Sequence, residues 1–415
     1  MALLNRDLPA FRPGGGPPGG LFTDDLDEML AWATQLDGSL VAIQGPPGTG
    51  KTYRGAHLVK ALVRAGLRVG ITAMSHGAID NLLEAVVREV DPAELRAVKK
   101  GGRPLTGRLS GVPQPSSNKA AAKPEYNVVA GTTWLFAGND MQAAPVDVLI
   151  VDEAGQLALA DALAACRAAR NLILLGDPLQ LPQVAKAMHP GGSGHSVLEH
   201  LLGDAVTMPP ERGVFLAENR RMHPDVATFI STEIYQRRLT THPSCALQTT
   251  DLGTGLRWLR AEHTGRVTEA PEEAEVVAAE IARLIGAGWT NQDGKRASLT
   301  ASDVLVVAPY NDQVHLLRAH LDADPATAGV AVGTVDKFQG REAAVVFFTM
   351  TSSSAADISR GADFLFSRNR LNVAVSRARC LAYLVCTKEL LNSRGRDVEE
   401  MRLISTLCAF VEGCA

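Results

Sequence analysis

Residues Gly45-Pro46-Pro47-Gly48-Thr49-Gly50-Lys51-Thr52 follow the apolar run Leu40-Val41-Ala42-Ile43 and precede a helical pattern, Leu58, Val59, Leu62 and Val63, that stops at Gly66. A loop of the form G-x-x-x-x-G-K-[ST] between a buried strand and a helix narrows the fold to α/β, because the strand must deliver the loop to a helix start. Glycines let backbone N–H groups close around a phosphate, and the helix N-terminus adds positive potential. Gly45 through Thr52 therefore read as a nucleoside triphosphate site. Lys51 reaches the β- and γ-phosphates, and the Thr52 hydroxyl ligates Mg²⁺.

Short apolar runs recur between helical stretches at 69–73, 128–130, 148–151 and 172–175, then again at 214–216, 304–307, 345–348 and 381–385. Such runs predict parallel sheets covered on both faces. The two series predict two α/β domains, 21–213 and 214–415. Residues 1–20, dense in Pro and Gly, are expected to be a tail or linker with no core of its own. Residues 99–126 carry Lys99, Lys100, Arg103, Arg108, Lys119 and Lys123 against the single acid Glu125. This insertion is either a solvated loop or a small basic projection that touches phosphates.

With 46% hydrophobic and 21% charged residues among 415, the composition is that of a soluble globular protein. No apolar run reaches the roughly 18 residues of a membrane span, and the start Met1-Ala-Leu-Leu-Asn-Arg lacks the apolar core of a signal peptide. A cytoplasmic protein with no membrane partner is expected. The net charge of −4 makes any nucleic-acid contact local rather than a global field. The six cysteines form no C-x-x-C pair, which favours free thiols over zinc or iron–sulfur sites.

Asp152 and Glu153 follow the apolar run Val148-Leu-Ile-Val151. Two adjacent carboxylates at the end of a buried strand are costly without a task. Downstream of a phosphate loop, Asp152 is expected in the Mg²⁺ shell, and Glu153 is expected to orient and deprotonate the attacking water. The next apolar run ends in Gly176-Asp177-Pro178-Leu179-Gln180-Leu181-Pro182, which sets Gln180 to sense the γ-phosphate.

Together, the phosphate loop, Asp152-Glu-Ala-Gly-Gln156 and Gly176-Asp-Pro-Leu-Gln-Leu-Pro182 resemble superfamily 1 helicases, in the branch of the nonsense-mediated-decay and Okazaki-fragment helicases (the AAA_11/AAA_12 type). Asn219-Arg220-Arg221-Met222-His223-Pro224 is similar to that branch's Q-Y-R-M-H-P box. Val307–Val314, Val332–Glu342 and Asn372–Arg379 resemble its motifs IV, V and VI. The resemblance runs from about residue 24 to 415 and implies two tandem RecA-like P-loop domains with a small insertion in the first.

It further implies ATP and Mg²⁺ in a cleft between the domains, with Arg221 and Arg377 as arginine fingers and Glu342 on the ribose. Arg220 stands where an aromatic residue usually stacks on the base. Nucleic-acid contacts are implied on the opposite face, at Ser75, His76, Thr132, Thr133, Pro309, Tyr310 and Thr334. Small hydroxyls and backbone amides there grip sugar and phosphate without reading sequence. Trp134 is read as core, with base stacking as the alternative, and His195 and His223 as structural.

The implied activity is that of an ATP-dependent helicase or translocase, a nucleic-acid-dependent ATPase that moves 5′→3′ on a single strand, DNA favoured over RNA. The alternative is an NTP-gated binding or remodelling subunit that separates no strands. Some features depart from the pattern: Phe22–Glu28 offers no Gln to read adenine, Gln35 lies too close to the strand, and Ala343-Ala344 replaces an acidic position. These details look most like the helicase half of bacterial RecB-like nuclease–helicase fusions, so a nuclease domain or subunit is the implied partner.

Overall fold

The computed structural model describes residues 2–181, 194–338 and 340–414. Pro182 and Gln339, quoted within the motifs above, lie outside the described residues. The chain forms two compact units. The first holds the residues up to Pro46, Gly50–Pro178 and the described residues up to Ala217; the second holds Pro47–Thr49, Leu179–Leu181 and the chain from Glu218 on.

The first unit is built on seven strands: β1 (Leu40–Gln44), β2 (Val69–Thr72), β3 (Ala97–Lys99), β4 (Val128–Ala130), β5 (Val146–Val151), β6 (Ala169–Gly176) and β7 (Gly213–Phe215). They pair in parallel in the order β3-β4-β2-β5-β6-β1-β7. β1 is buried along its whole length, as a central parallel strand covered on both faces must be. The helix Lys51–Arg64 turns Leu58, Val59, Leu62 and Val63 into the core, as their spacing predicts.

In the second unit β8 (Glu218–Asn219) pairs with β9 (Thr240–Thr241), and β10 (Thr249–Thr250), β12 (Gly288–Thr290) and β13 (Arg296–Ser298) make a small antiparallel sheet. Its main sheet is parallel, in the order β11-β17-β16-β14-β15, from β11 (Gly255–Arg260), β14 (Val304–Ala308), β15 (Ala331–Thr334), β16 (Ala343–Thr349) and β17 (Ala378–Cys386). Two parallel sheets, each covered by helices, are the tandem RecA-like architecture expected from the sequence.

Three segments differ from expectation. Residues 2–20 are docked on the first unit rather than trailing from it: Leu3 is buried, Ala10 N–H donates to Ser39 Oγ (2.7 Å), and Arg12 N–H donates to the Gln35 carbonyl (2.9 Å). Phe11 packs near Phe22, 6.1 Å between ring centroids, and Phe22 meets Trp32 edge-on at 5.3 Å. A few apolar anchors are enough to seat a Pro/Gly-rich segment that forms little regular structure. The run 214–216, expected to open the second domain, instead supplies β7, the last strand of the first sheet, with Ala42 paired to Gly213. The units therefore change over at Ala217–Glu218 rather than at 213.

The insertion 99–126 is anchored as well. β3 adds an outer strand beside β4, Lys99 N–H donates to the Pro113 carbonyl (3.0 Å), and Leu109 enters the core. Arg68 binds the carbonyls of Ala122, Lys123, Tyr126, Ala144 and Pro145 with one guanidinium. Burial lowers its pKa, with Asp147 opposing.

Candidate functional site

Parallel strands deliver their carboxyl ends to one edge, and the first unit's chemistry gathers there. After β1, Gly50 has φ +76 and caps the helix Lys51–Arg64 in a left-handed conformation that a side chain would resist. Lys51 Nζ donates to the Gly45 carbonyl at 2.5 Å, and Gly45 N–H donates to the Gly176 carbonyl at 2.9 Å. Pro46 and Thr49 are buried, and Thr52 sits in the first turn of the helix. Pro47, Gly48 and Thr49 group with the second unit, as does the buried Gln180.

After β5, Asp152 is buried and its Oδ1 accepts the Glu153 N–H at 2.9 Å. Its carboxyl is pushed up to about 7, first by burial and then by the adjacent Glu153 charge, with Lys51 opposing. Glu153 itself has φ +52, an uncommon conformation for a non-glycine residue and of the kind concentrated at functional positions. The glycine of Asp-Glu-Ala-Gly-Gln has a backbone reason: a Cβ on Gly155 would run into the Asp177 carbonyl, where the β5 and β6 ends meet. Asp177 is held near Gln44, whose Nε2 lies 3.4 Å from Asp177 Oδ1.

Two hard oxygen donors, the Thr52 hydroxyl and a buried carboxylate that is unfavourably charged as it stands, fit a divalent cation that keeps water and phosphate ligands. No group of three or more His, Cys, Asp or Glu suited to a metal occurs among the described residues.

In the second unit Asn219 fixes the turn that presents Arg221. Its Oδ1 accepts the N–H groups of Arg221 (2.9 Å) and Met222 (3.0 Å), and Gln248 Nε2 holds the Arg221 carbonyl at 2.7 Å. The Arg221 guanidinium binds Glu342 Oε2 and the Ser376 carbonyl, while Arg379 takes Glu342 Oε1. Burial raises the Glu342 pKa, but the two arginines outweigh it, and the carboxyl titrates below its usual range. Glu342, expected on the ribose, thus has an arginine on each of its two oxygens. Arg379 was not singled out; its signal was the second arginine of Ser376-Arg-Ala-Arg379. Arg377 is buried, with Nη1 3.4 Å from the Arg341 carbonyl. Arg220 is exposed and pairs with Glu218 at 2.6 Å.

The implied nucleic-acid residues fall into two groups. Ser75 and His76 follow β2, and Thr132 and Thr133 follow β4, the strand beside it. They lie on the same carboxyl edge as the phosphate loop, in the other half of the sheet, rather than on an opposite face of the unit. Ser75 Oγ already caps the helix His76–Glu89 by accepting Ala78 N–H (3.1 Å). Burial, then the Lys99 charge, lowers the His76 pKa and favours the neutral ring. Lys99 makes no surface contact: it is fully buried and pairs with Asp80 at 2.6 Å. Trp134, expected in the core, is 84% exposed.

Pro309, Tyr310 and Thr334 line one cavity of about 520 Å³ in the second unit, with Arg360, Phe364 and Arg370. Arg370 and Arg360 lie 4.1 and 5.0 Å from the Phe364 centroid, and the Tyr310 ring is 5.6 Å away. Cationic planes stacked on an aromatic, beside backbone and hydroxyl groups, suit phosphate and base. Arg360 and Phe364 were not legible, because no local period links them to motif IV. His223 caps the helix Pro224–Glu233 by accepting the Asp225 N–H at 3.2 Å, a structural role. His195 offers its carbonyl to Leu159 N–H at 3.2 Å, a backbone contact with the helix Leu159–Cys166. The described cysteines are free, and among the described residues no helix is long and apolar enough to cross a membrane.

Two AAA-domain family models match the chain in succession, one over residues 27–192 and one over 194–389. A rat (Rattus norvegicus) protein named DNA-binding protein SMUBP-2 is 27% identical over 91% of this chain and 44% of its own length. The Arabidopsis thaliana DNA replication ATP-dependent helicase/nuclease JHS1 is 25% identical over 90% of this chain and 29% of its own. A solved arterivirus nonstructural protein 10 (helicase) with DNA aligns at 16% identity and TM-score 0.46, over 88% of this chain and 62% of that one. The chain spans less than half the length of either of these two curated relatives.

Proposed function

We propose that this chain, which belongs to the superfamily 1 helicases of the nonsense-mediated-decay and Okazaki-fragment branch, is an ATP-dependent helicase that translocates on single-stranded nucleic acid. ATP sits on the Gly45–Thr52 loop, with Lys51 on the β- and γ-phosphates and Glu153 taking the proton of the attacking water. Thr52 and Asp152 hold Mg²⁺, which neutralises phosphate charge. Gln180 senses the γ-phosphate, and Arg221 and Arg377 stabilise charge in the transition state, coupling the cycle to movement of one unit against the other. Glu342 keeps Arg221 aimed between turnovers by pairing with it.

The strand runs past Ser75, His76, Thr132 and Thr133 on one unit and Pro309, Tyr310 and Thr334 on the other, DNA in preference to RNA and 5′→3′. Work in the cytoplasm beside a nuclease domain or subunit completes the reading. The observation that carries it is the pair Asp152–Glu153: a buried carboxylate burdened by its neighbour, and a base in left-handed backbone, on the edge that also presents Lys51. A mere phosphate-binding module needs neither.

Phosphate release from ATP, with and without single-stranded DNA or RNA and with Glu153→Gln as blank, tests the reading. About tenfold stimulation by one polymer, abolished in the variant, is the expected result; a rate indifferent to both polymers would overturn it. One observation favours a second reading, translocation without strand separation. The insertion 99–126, expected to supply any separating element, is folded onto the sheet through β3 and Arg68. Displacement of streptavidin from an end-labelled oligonucleotide, without displacement of a complementary strand, would select that reading.

A further inference from the structure

Of the four tryptophans, Trp32 is 1% exposed and Trp258 and Trp289 are half-buried, whereas Trp134 is 84% exposed. A large aromatic left in water is the informative case among exposed apolar residues. Met74, 45% exposed, leaves the neighbouring strand on the same edge of the sheet: β2 and β4 are paired through Ile71 and Ala130, and Met74 and Trp134 follow those residues by three and four positions. The ledge is basic on its outer side. Lys100 N–H donates to the Ala130 carbonyl at 2.8 Å, which sets Lys100 at the end of β4, and the exposed Arg103 follows. The buried Lys99–Asp80 pair ties this end of β3 to the helix that starts at His76.

We propose that Trp134, with Met74 on the same edge, is a stacking platform for an unpaired base, with Lys100 and Arg103 on the adjoining phosphates. The proposal rests on the nucleic-acid reading above and adds to it a contact with the base rather than the backbone. An apolar surface bordered by cations fits a ligand that is flat and apolar in one part and anionic in the next. A single strand offers that alternation at every nucleotide, whereas a duplex hides its base faces. Stacking engages any base and does not touch the 2′-OH, so the platform serves DNA and RNA alike and any preference between them arises elsewhere.

The test titrates the full chain with oligothymidylate, oligouridylate and an abasic deoxy-oligomer of the same length, following tryptophan fluorescence and anisotropy of a labelled strand. Both base-bearing strands are expected to quench the wild type, and the abasic strand is not. Trp134→Ala should weaken the base-bearing strands about 5- to 150-fold and the abasic strand less than about twofold, while Trp134→Phe keeps most of the affinity. Loss of affinity for all three strands alike, or for none, in Trp134→Ala would overturn the platform and leave the ledge to a protein partner. A wild-type chain that binds none of the strands would overturn the nucleic-acid reading, and the platform with it. At 84% exposure the substitution does not threaten folding.

Discussion

The carboxyl edge of the first sheet has two halves built on opposite physical plans. At the ends of β1, β5 and β6 the groups are buried and fixed: Asp152 inside, Glu153 in left-handed backbone, and Gly155 against the Asp177 carbonyl. At the ends of β2, β3 and β4 they are open: Met74, Trp134 and Arg103 face solvent, and Ser75 doubles as a helix cap. Bond making needs reacting atoms held to fractions of an ångström. A track that must accept every sequence needs surfaces tolerant of small displacements. Rigidity in one half and tolerance in the other can therefore be tested separately.

The largest effect should come from Glu153→Gln, which removes the base from the rigid half and keeps its shape. ATP turnover is expected to fall about 10²–10⁴-fold with single-strand binding retained; a fall in both would mean that the halves are not separable. Gly155→Ala should come next. The added methyl meets backbone at the junction of β5 and β6, and we expect a loss of about 1–3 kcal/mol in urea unfolding, with turnover reduced beyond what the unfolded fraction explains. Unchanged stability would show that this half is softer than its contacts indicate.

Asp152→Asn sharpens the contrast through pH. The folded carboxyl titrates near 7, above its ordinary value of 3.8, so between those values the folded state binds more protons than the unfolded state. Wild-type stability without divalent cations should therefore fall as pH rises from about 4 to about 7 and then level off. The variant should lack that fall and be more stable by about 1–2 kcal/mol at pH 8, as followed by thermal unfolding with chelator present. A wild type that is no less stable than the variant at pH 8 would remove the burden assigned to Asp152. The smallest effect belongs to the open half: Lys100→Ala should lower the salt slope of single-strand binding by about 1 and leave basal ATP turnover unchanged.

The same contrast explains what was legible in the sequence. Lys51, Thr52, Asp152 and Glu153 announce themselves because phosphate chemistry accepts few residue types at fixed distances along the chain. Gly155 also showed itself in a motif, although its reason, the Asp177 carbonyl, appears only once β5 and β6 are side by side. Trp134 misled, because Trp134-Leu-Phe136 is apolar throughout and only the turn of the helix decides that Leu135 and Phe136 go in and Trp134 out. Lys99 read as surface charge because nothing local reveals the Asp80 that neutralises it. Arg360, Phe364 and Arg370 meet across an irregular spacing and carry no pattern at all.

Arg68 has a consequence for how this protein can change over generations. Its five acceptors are main-chain oxygens from three separate stretches, and every amino acid carries such an oxygen. Side chains at 122, 123, 126, 144 and 145 can therefore drift without loosening the joint. Much of the selective constraint of that corner falls on one arginine, since a lysine, with three donors on a single nitrogen, cannot span the five carbonyls that the guanidinium fork reaches.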